Sequence, residues 1–250
     1  MDLTDDQIER YSRHMLLREI GGAGQIKLLT AEVFLLGLGA MGSVVALYLA
    51  AAGVGRLTLA DRAIVSPTSP GAAALYTRSQ IGLPKAHAAA EALHGLNPGV
   101  QITPLVVDAH PNAPLDLPAG CGLVVDGSNA PELTPMLDAV CRARGIPLLV
   151  ARHRGWRGEV LAPDARGAIP TLDFTEGLST HRQPEVPESS PPATETAAFA
   201  PPGTILAGLV ASVAATEALK RLLGLTPAAA SVHLTFDARA GIWERPCASC

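Results

Sequence analysis

The sequence predicts an α/β fold of Rossmann-like kind, with a largely parallel sheet extended by antiparallel strands. Three observations carry this. Apolar strand-like runs alternate with helical runs from Glu32 to Ala151. The first strand runs into Gly37-Leu-Gly39-Ala-Met-Gly42, a G-x-G-x-x-G turn that opens a helix. Beyond Ala151 the helices stop and strand-like runs follow one another directly.

The elements follow in order. Residues 2–20 read as an amphipathic helical arm. Glu32 to Leu36 is a short apolar strand, and Gly42 to Ala52 a helix of small and apolar residues. Arg56 to Ala60 is the next strand, with Asp61 at its carboxyl end. Pro84 to Leu93 is an alanine-rich helix stopped by Asn97-Pro98-Gly99, and Val100 to Val107 a strand. Leu123 to Val125 is a strand ending in Asp126-Gly-Ser-Asn129. Pro131 to Arg144 is a helix closed by Gly145, and Ile146 to Ala151 a strand. Trp156 to Ala162 and Ile169 to Phe174 read as strands. Residues 181–203 hold Pro184, Pro187, Pro191, Pro192, Pro201 and Pro202 and predict a mobile loop. Ile205 to Leu223 is a buried alanine-rich helix ended by Gly224, and Val232 to Phe236 with Gly241 to Glu244 a closing hairpin. The whole reads as a single domain, 1–250. It divides into an arm (1–30), a nucleotide-binding half (31–151) and a second half (152–250).

Composition bounds the function. The chain of 250 residues is 48% apolar and 17% charged, enough for a core and unlike a disordered chain. A net charge of −4 speaks against a general nucleic-acid surface. Val33 to Gly55 carries no charge, long enough for a bilayer, but Gly37, Gly39 and Gly42 interrupt it, so no membrane span is expected. The charged N-terminus has no apolar signal core, and four scattered cysteines make no disulfide framework. A cytoplasmic location is the expectation.

The glycine turn carries the first chemistry. Gly37 permits the tight turn, Gly39 lets a phosphate approach the backbone, and Gly42 lets helix and strand pack closely. The helix start offers free amides and a positive dipole end to phosphate. Asp61, ending the next strand, suits ribose hydroxyls. An NAD(P) dehydrogenase would use the same parts, and glycines serving packing alone would read alike.

Further motifs follow in sequence: Arg10-Tyr-Ser-Arg-His14, Tyr48 to Gly55, Ile81-Gly-Leu-Pro-Lys85, Asn97-Pro98, Val124 to Ser128, Gly158-Glu-Val160 and Glu217-Ala-Leu-Lys220. In that order they resemble the ThiF/MoeB/HesA family, bacterial relatives of ubiquitin-activating enzymes. The resemblance covers nearly the whole chain. It implies a ThiF-like fold, a dimer, and ATP-dependent adenylation of the C-terminal carboxylate of a ubiquitin-like carrier protein or a peptide. It makes Lys85 the phosphate lysine, and Arg13 the arginine that reaches the opposite subunit's ATP. Asp126 and Asn129 align with its Mg²⁺-linked Asp-x-x-Asp motif, and residues 152–250 with its carrier-binding and dimer half.

The departures matter as much. Where the family reads Asp-x-Asp-x-Val…Ser-Asn-Leu-x-Arg-Gln, this chain has Ala63, Ser69 and Ala72-Ala73. A phosphate-binding arginine is therefore absent, with Arg62 and Arg78 nearby but off its position. Asn129 supplies no negative charge, so a weakened Mg²⁺ site is expected. No cysteine lies between Cys141 and Cys247, which removes the family's loop cysteine and half of its zinc site, so zinc is not expected. Cys121 and Cys141 read as core residues. The altered segment also resembles the non-adenylating subunits of heterodimeric activating enzymes. This leaves two expectations: a slow adenylating enzyme, or a catalytically silent subunit, as a homodimer or beside an active paralogue. Arg152-His-Arg-Gly-Trp-Arg157 could grip an acidic tail through cation–π contacts, but a solvated loop is the preferred reading.

Overall fold

The computed structural model describes residues 2–69, 73–113, 115–163, 201–227 and 230–244. Within them the chain builds an eight-stranded sheet in the order β3-β2-β1-β4-β5-β6-β7-β8. Strands β1 (Glu32–Leu36), β2 (Arg56–Ala60), β3 (Gln101–Leu105), β4 (Leu123–Asp126) and β5 (Leu148–Arg154) are parallel. Strands β6 (Arg157–Ala162), β7 (Val232–Asp237) and β8 (Ile242–Glu244) continue it antiparallel. The α/β class, the parallel core and the antiparallel extension all match the expectation.

The predicted single arm is two helices. The first, α1 (Asp5–Met15), starts at a capping box in which the Thr4 hydroxyl accepts from the Gln7 amide (3.3 Å). The second, α2 (Gly21–Thr30), begins at Gly21 in the left-handed region (φ 54°). Its Gly21-Gly-Ala-Gly24 start hides it from propensity, but tertiary packing overrides. A Cβ on Gly24 would lie 3.0 Å from Leu223, so α2 rests closely on the last helix.

Both faces of the sheet are covered, as a parallel sheet requires. On one face lie α3 (Ala40–Ala51), α4 (Lys85–Leu96) and α6 (Pro201–Leu223), over Val33, Leu35, Leu57, Leu59, Val125 and Leu149. On the other, α5 (Thr134–Arg144), preceded by a 3₁₀ turn (Pro131–Leu133), packs Met136, Leu137 and Cys141 on Phe34, Val124 and Val150. Each buried aliphatic side chain contributes about 1.5–3 kcal/mol relative to exposure. Cys121 and Cys141 are buried as expected, and burial pushes the Cys141 thiol up to about 12.

Two boundaries are corrected. The loop predicted over 181–203 ends earlier, because Pro201 to Gly203 form the first turn of α6, where proline's missing amide costs nothing. Arg152 and His153 are not in a solvated loop. They lie inside β5, buried, and Gly155 (φ 56°) and Trp156 turn the hairpin. The predicted strand Ile169–Phe174, the predicted loop up to residue 200, Ala72 and Cys247-x-x-Cys250 lie outside the described residues. The uncharged Val33–Gly55 stretch is strand, turn and helix, and among the described residues no helix is long and apolar enough to cross a membrane.

Candidate nucleotide-binding site

Register places the site. Leu36 pairs with Ala60 on β2 and with Asp126 on β4, so three strand ends stand level. Strand order reverses between β1 and β4, and the crevice beyond such a reversal is where open α/β sheets bind ligands.

The glycine turn occupies that crevice, and its three glycines differ in what they face. Gly37 is left-handed (φ 85°), and a Cβ there would come within 2.4 Å of Ser128 Cα. A Cβ on Gly42 would fall 1.8 Å from the Gly37 carbonyl oxygen. Gly39 meets nothing within 4 Å. Two glycines are therefore packed out by backbone, and one faces open space where a ligand could sit. Gly39 is the N-cap of α3, whose first bond runs from the Ser43 amide to the Gly39 carbonyl (3.0 Å). The amides before Ser43 point outward from the helix start.

Asp61 is tied to this turn. Its Oδ2 accepts from the Leu38 amide and its Oδ1 from the Ala63 amide, both at 2.7 Å. The Ala63 carbonyl in turn accepts from the Lys85 amide (2.9 Å). Acid and lysine are thus joined through one residue, beside the turn. Lys85 is the first residue of α4, and its ammonium makes no ion pair among the described residues.

The β4 loop closes the far side. The Gly127 amide donates to the Leu36 carbonyl (2.8 Å). Asp126 is 1% exposed and spent internally. Its Oδ1 accepts from the Ser128 amide (3.0 Å) and hydroxyl (2.6 Å), and its Oδ2 from the Thr134 hydroxyl (3.3 Å). Burial raises its pKa against the opposing pull of the Ser128 bonds and the Arg152 charge. Asn129 holds a left-handed conformation (φ 60°), and its Oδ1 accepts from the His153 amide (2.9 Å).

Gly37, Gly39, Gly42, Asp61, Lys85, Asp126 and Asn129 therefore converge, and Arg13 does not. Arg13 is exposed on α1. That helix is anchored by Tyr11, whose hydroxyl accepts from Asn97 Nδ2 (2.8 Å), while the same nitrogen donates to the Ala50 carbonyl (2.7 Å). Those contacts lie at the carboxyl end of α3, about 18 Å of helix away from the glycine turn.

Tyr76 and Thr134 carry no motif, and Arg152 stands in a segment whose preferred reading from sequence is a solvated loop. The Tyr76 hydroxyl donates to the Leu38 carbonyl (2.8 Å) from a buried position, and burial raises its pKa. Thr134 bridges Asp126 and the buried Arg152 guanidinium. Arg152 shares an alternating sequence with Leu148 and Val150, so period two would have put it on the same buried face.

Comparison with known proteins gives consistent matches. A model described as the ThiF family matches residues 11–249. The chain is 33% identical over 240 residues to the SAMP-activating enzyme E1 of Haloferax volcanii, covering 95% of this chain and 84% of that protein. It is 31% identical over 242 residues to the sulfur carrier protein ThiS adenylyltransferase of Escherichia coli, covering 97% and 92%. The crystal structure of E. coli MccB with ATP superposes with a TM-score of 0.70 at 15% identity, covering 94% of this chain and 70% of that one. That identity speaks for the fold alone.

Proposed function

The chain belongs to the ThiF family, and on that premise we propose that it adenylates the C-terminal carboxylate of a small ubiquitin-like carrier protein, or of a peptide, at the expense of ATP. The relatives' names support this class of reaction: one activates SAMP, and another adenylates the sulfur carrier ThiS. The observation that carries the reading is the open space at Gly39, set between the outward amides of α3, Asp61 and Lys85.

The chemistry asks little of general bases. A carboxylate oxygen of the carrier attacks the α-phosphorus, the bond from that phosphorus to the bridging oxygen breaks, and pyrophosphate leaves. No proton moves, because the attacking carboxylate is already ionised at neutral pH. What remains is alignment and charge neutralisation. The α3 amides and the helix dipole receive phosphate oxygens. Asp61 keeps a free lone pair on each oxygen for the ribose hydroxyls. Lys85 supplies positive charge to the leaving phosphates.

Adenylyltransferases of this family use ATP and Mg²⁺. The side chains here do not form a metal cage. Asp126 and Asn129 direct their oxygens at protein donors, and the described residues hold no group of three His, Cys, Asp or Glu able to bind a metal.

The position of Arg13 supports a dimer in which it serves the partner's nucleotide, since its own turn is a helix length away. Residues 31–151 would then hold nucleotide, and 152–250 the carrier and the dimer contact.

A second reading, a catalytically silent subunit, is favoured by Asn129 and Ala72, which stand where the family pattern has an aspartate and an arginine to serve turnover. ATP–pyrophosphate exchange, with candidate carriers ending in Gly-Gly, separates the two. Exchange by this chain with a carrier supports the enzyme. ATP binding without exchange by this chain alone, with exchange appearing only when an active paralogue is added, supports the silent subunit. A folded protein with no affinity for any adenine nucleotide overturns both.

A further inference from the structure

Strand β5 carries two consecutive residues that reach the loop from Asp126 to Thr134 at separate points. The His153 amide donates to Asn129 Oδ1 (2.9 Å). The Arg152 guanidinium donates through Nη2 to the Thr134 hydroxyl. That hydroxyl has one proton, which goes to Asp126 Oδ2 (3.3 Å), so its lone pair is left for the arginine. Asp126 in turn fixes Ser128 by two bonds, and Ser128 lies against Gly37.

Arg152 is itself held. Glu159 stands directly opposite on β6, with Nη1 3.5 Å from Oε1, and the two side chains are 5% and 0% exposed. On β7, His233 Nε2 lies 3.3 Å from the other Glu159 oxygen. A buried ion pair adds little net stability over apolar side chains of similar volume, so stability alone does not account for this one. Its place is specific: Glu159 stands across the strand pair from the guanidinium that donates to the Thr134 hydroxyl.

Resting on the nucleotide reading above, we infer that Arg152 is a positioning residue of that site: held by Glu159, it clasps the Asp126–Thr134 loop against the glycine turn. The β5–β6 pair, where the sheet turns antiparallel, thereby sets the shape of a pocket formed by the parallel strands.

The test is the double variant Arg152→Met/Glu159→Leu, which removes both charges and keeps volume. It is compared with wild type by thermal melting, calorimetric ATP titration, and amide hydrogen exchange of the nucleotide-free protein. The variant is expected to fold, to bind ATP at least about tenfold more weakly, and to exchange the Ser128 and Ala130 amides at least about tenfold faster. Amides of β1 should be unchanged. Arg152→Lys should recover part of both effects, because the charge remains while the fork is lost. If the double variant does not fold, Thr134→Val takes the same measurements, with Thr134→Ser expected to match wild type. Wild-type exchange at Ser128 and Ala130 in a folded variant overturns the inference. Failure of wild-type protein to bind ATP overturns the nucleotide reading instead, and leaves the exchange comparison to decide the clasp.

Discussion

The two halves of the sheet reach order by opposite means. In the parallel half, backbone touches backbone: Gly37 lies on Ser128 and Gly42 on Gly37, Asp61 and Lys85 stay at the rim, and the buried Asp126 is met by hydroxyl and amide donors. Where the sheet turns antiparallel, a cation and an acid go inside as a cross-strand pair: Arg152 on β5 and Glu159 on β6 are 4% and 1% exposed. The difference teaches that close backbone approach and buried charge do different jobs. The first clears space for a ligand at the strand ends. The second holds the clearing's wall in place from the neighbouring strands.

The sharpest challenge to that contrast lies within the glycine turn itself. Gly42→Ala puts a methyl group 1.8 Å from a backbone oxygen, so its cost should exceed about 3 kcal/mol in urea unfolding, the upper end of ordinary overpacking. Gly39→Ala meets open space and should cost less than about 1 kcal/mol, yet weaken ATP binding at least about tenfold. Equal stability losses at both positions would erase the distinction between packed and open glycine.

Next in size are the rim charges. Lys85→Ala and Arg13→Ala should each lower ATP–pyrophosphate exchange by about 10²-fold or more, with unfolding little changed. Mixing the two inactive variants should restore part of the activity, because a mixed dimer contains one intact site. No recovery on mixing would put Arg13 outside the partner's site.

The buried charges should show in pH dependence. Burial raises Glu159 from its ordinary 4.5 to about 7, against the pull of Arg152. Between those values the folded protein keeps a proton that the unfolded chain releases. Glu159 therefore contributes stability that is complete below about pH 4.5 and is lost as pH rises through 7. From about pH 5 to about pH 7 the loss is about 2 kcal/mol, and Glu159→Gln should abolish that part of the slope. His153 and His233 are lowered by burial and act with the opposite sign, losing stability as pH falls through 6.5. The difference between wild type and variant isolates the glutamate, and identical slopes would contradict its buried ionisation.

The smallest effect belongs to the exposed surface. Arg62 pairs with Asp108 at 3.2 Å, both well exposed. Arg62→Ala should move stability by less than about 0.5 kcal/mol and leave exchange unaltered. A large loss of exchange would make Arg62 a substitute for the phosphate arginine missing at Ala72.

Much of the nucleotide pocket was legible because each part has a steric or chemical requirement that few residues meet. Only glycine fits where a Cβ would strike neighbouring backbone, so Gly37 and Gly42 mark the turn, and Asp61 and Lys85 follow at motif spacing. Residues 2–20 read as helical and contain α1, whereas the glycines of α2 hide a second helix that packing, not propensity, makes. Arg152-His-Arg-Gly-Trp-Arg157 was read as solvated because its polarity says so, and its partner lies seven residues away across a hairpin.

By itself, then, the chain's order of residues determined the α/β class, the strand ends where the glycine turn, Asp61 and Lys85 meet, and the family membership, since these rest on local sterics and on motifs in series. Pairing register decided the rest. Only the alignment of Arg152 with Glu159, and of Leu36 with both Ala60 and Asp126, brings Thr134, Asp126 and the glycine turn into one connected wall. Side chains in a sheet alternate faces every residue, so a shift of one position would turn the same arginine away from that wall; its alternation with Leu148 and Val150 records the face, but nothing in its own neighbourhood records the partner.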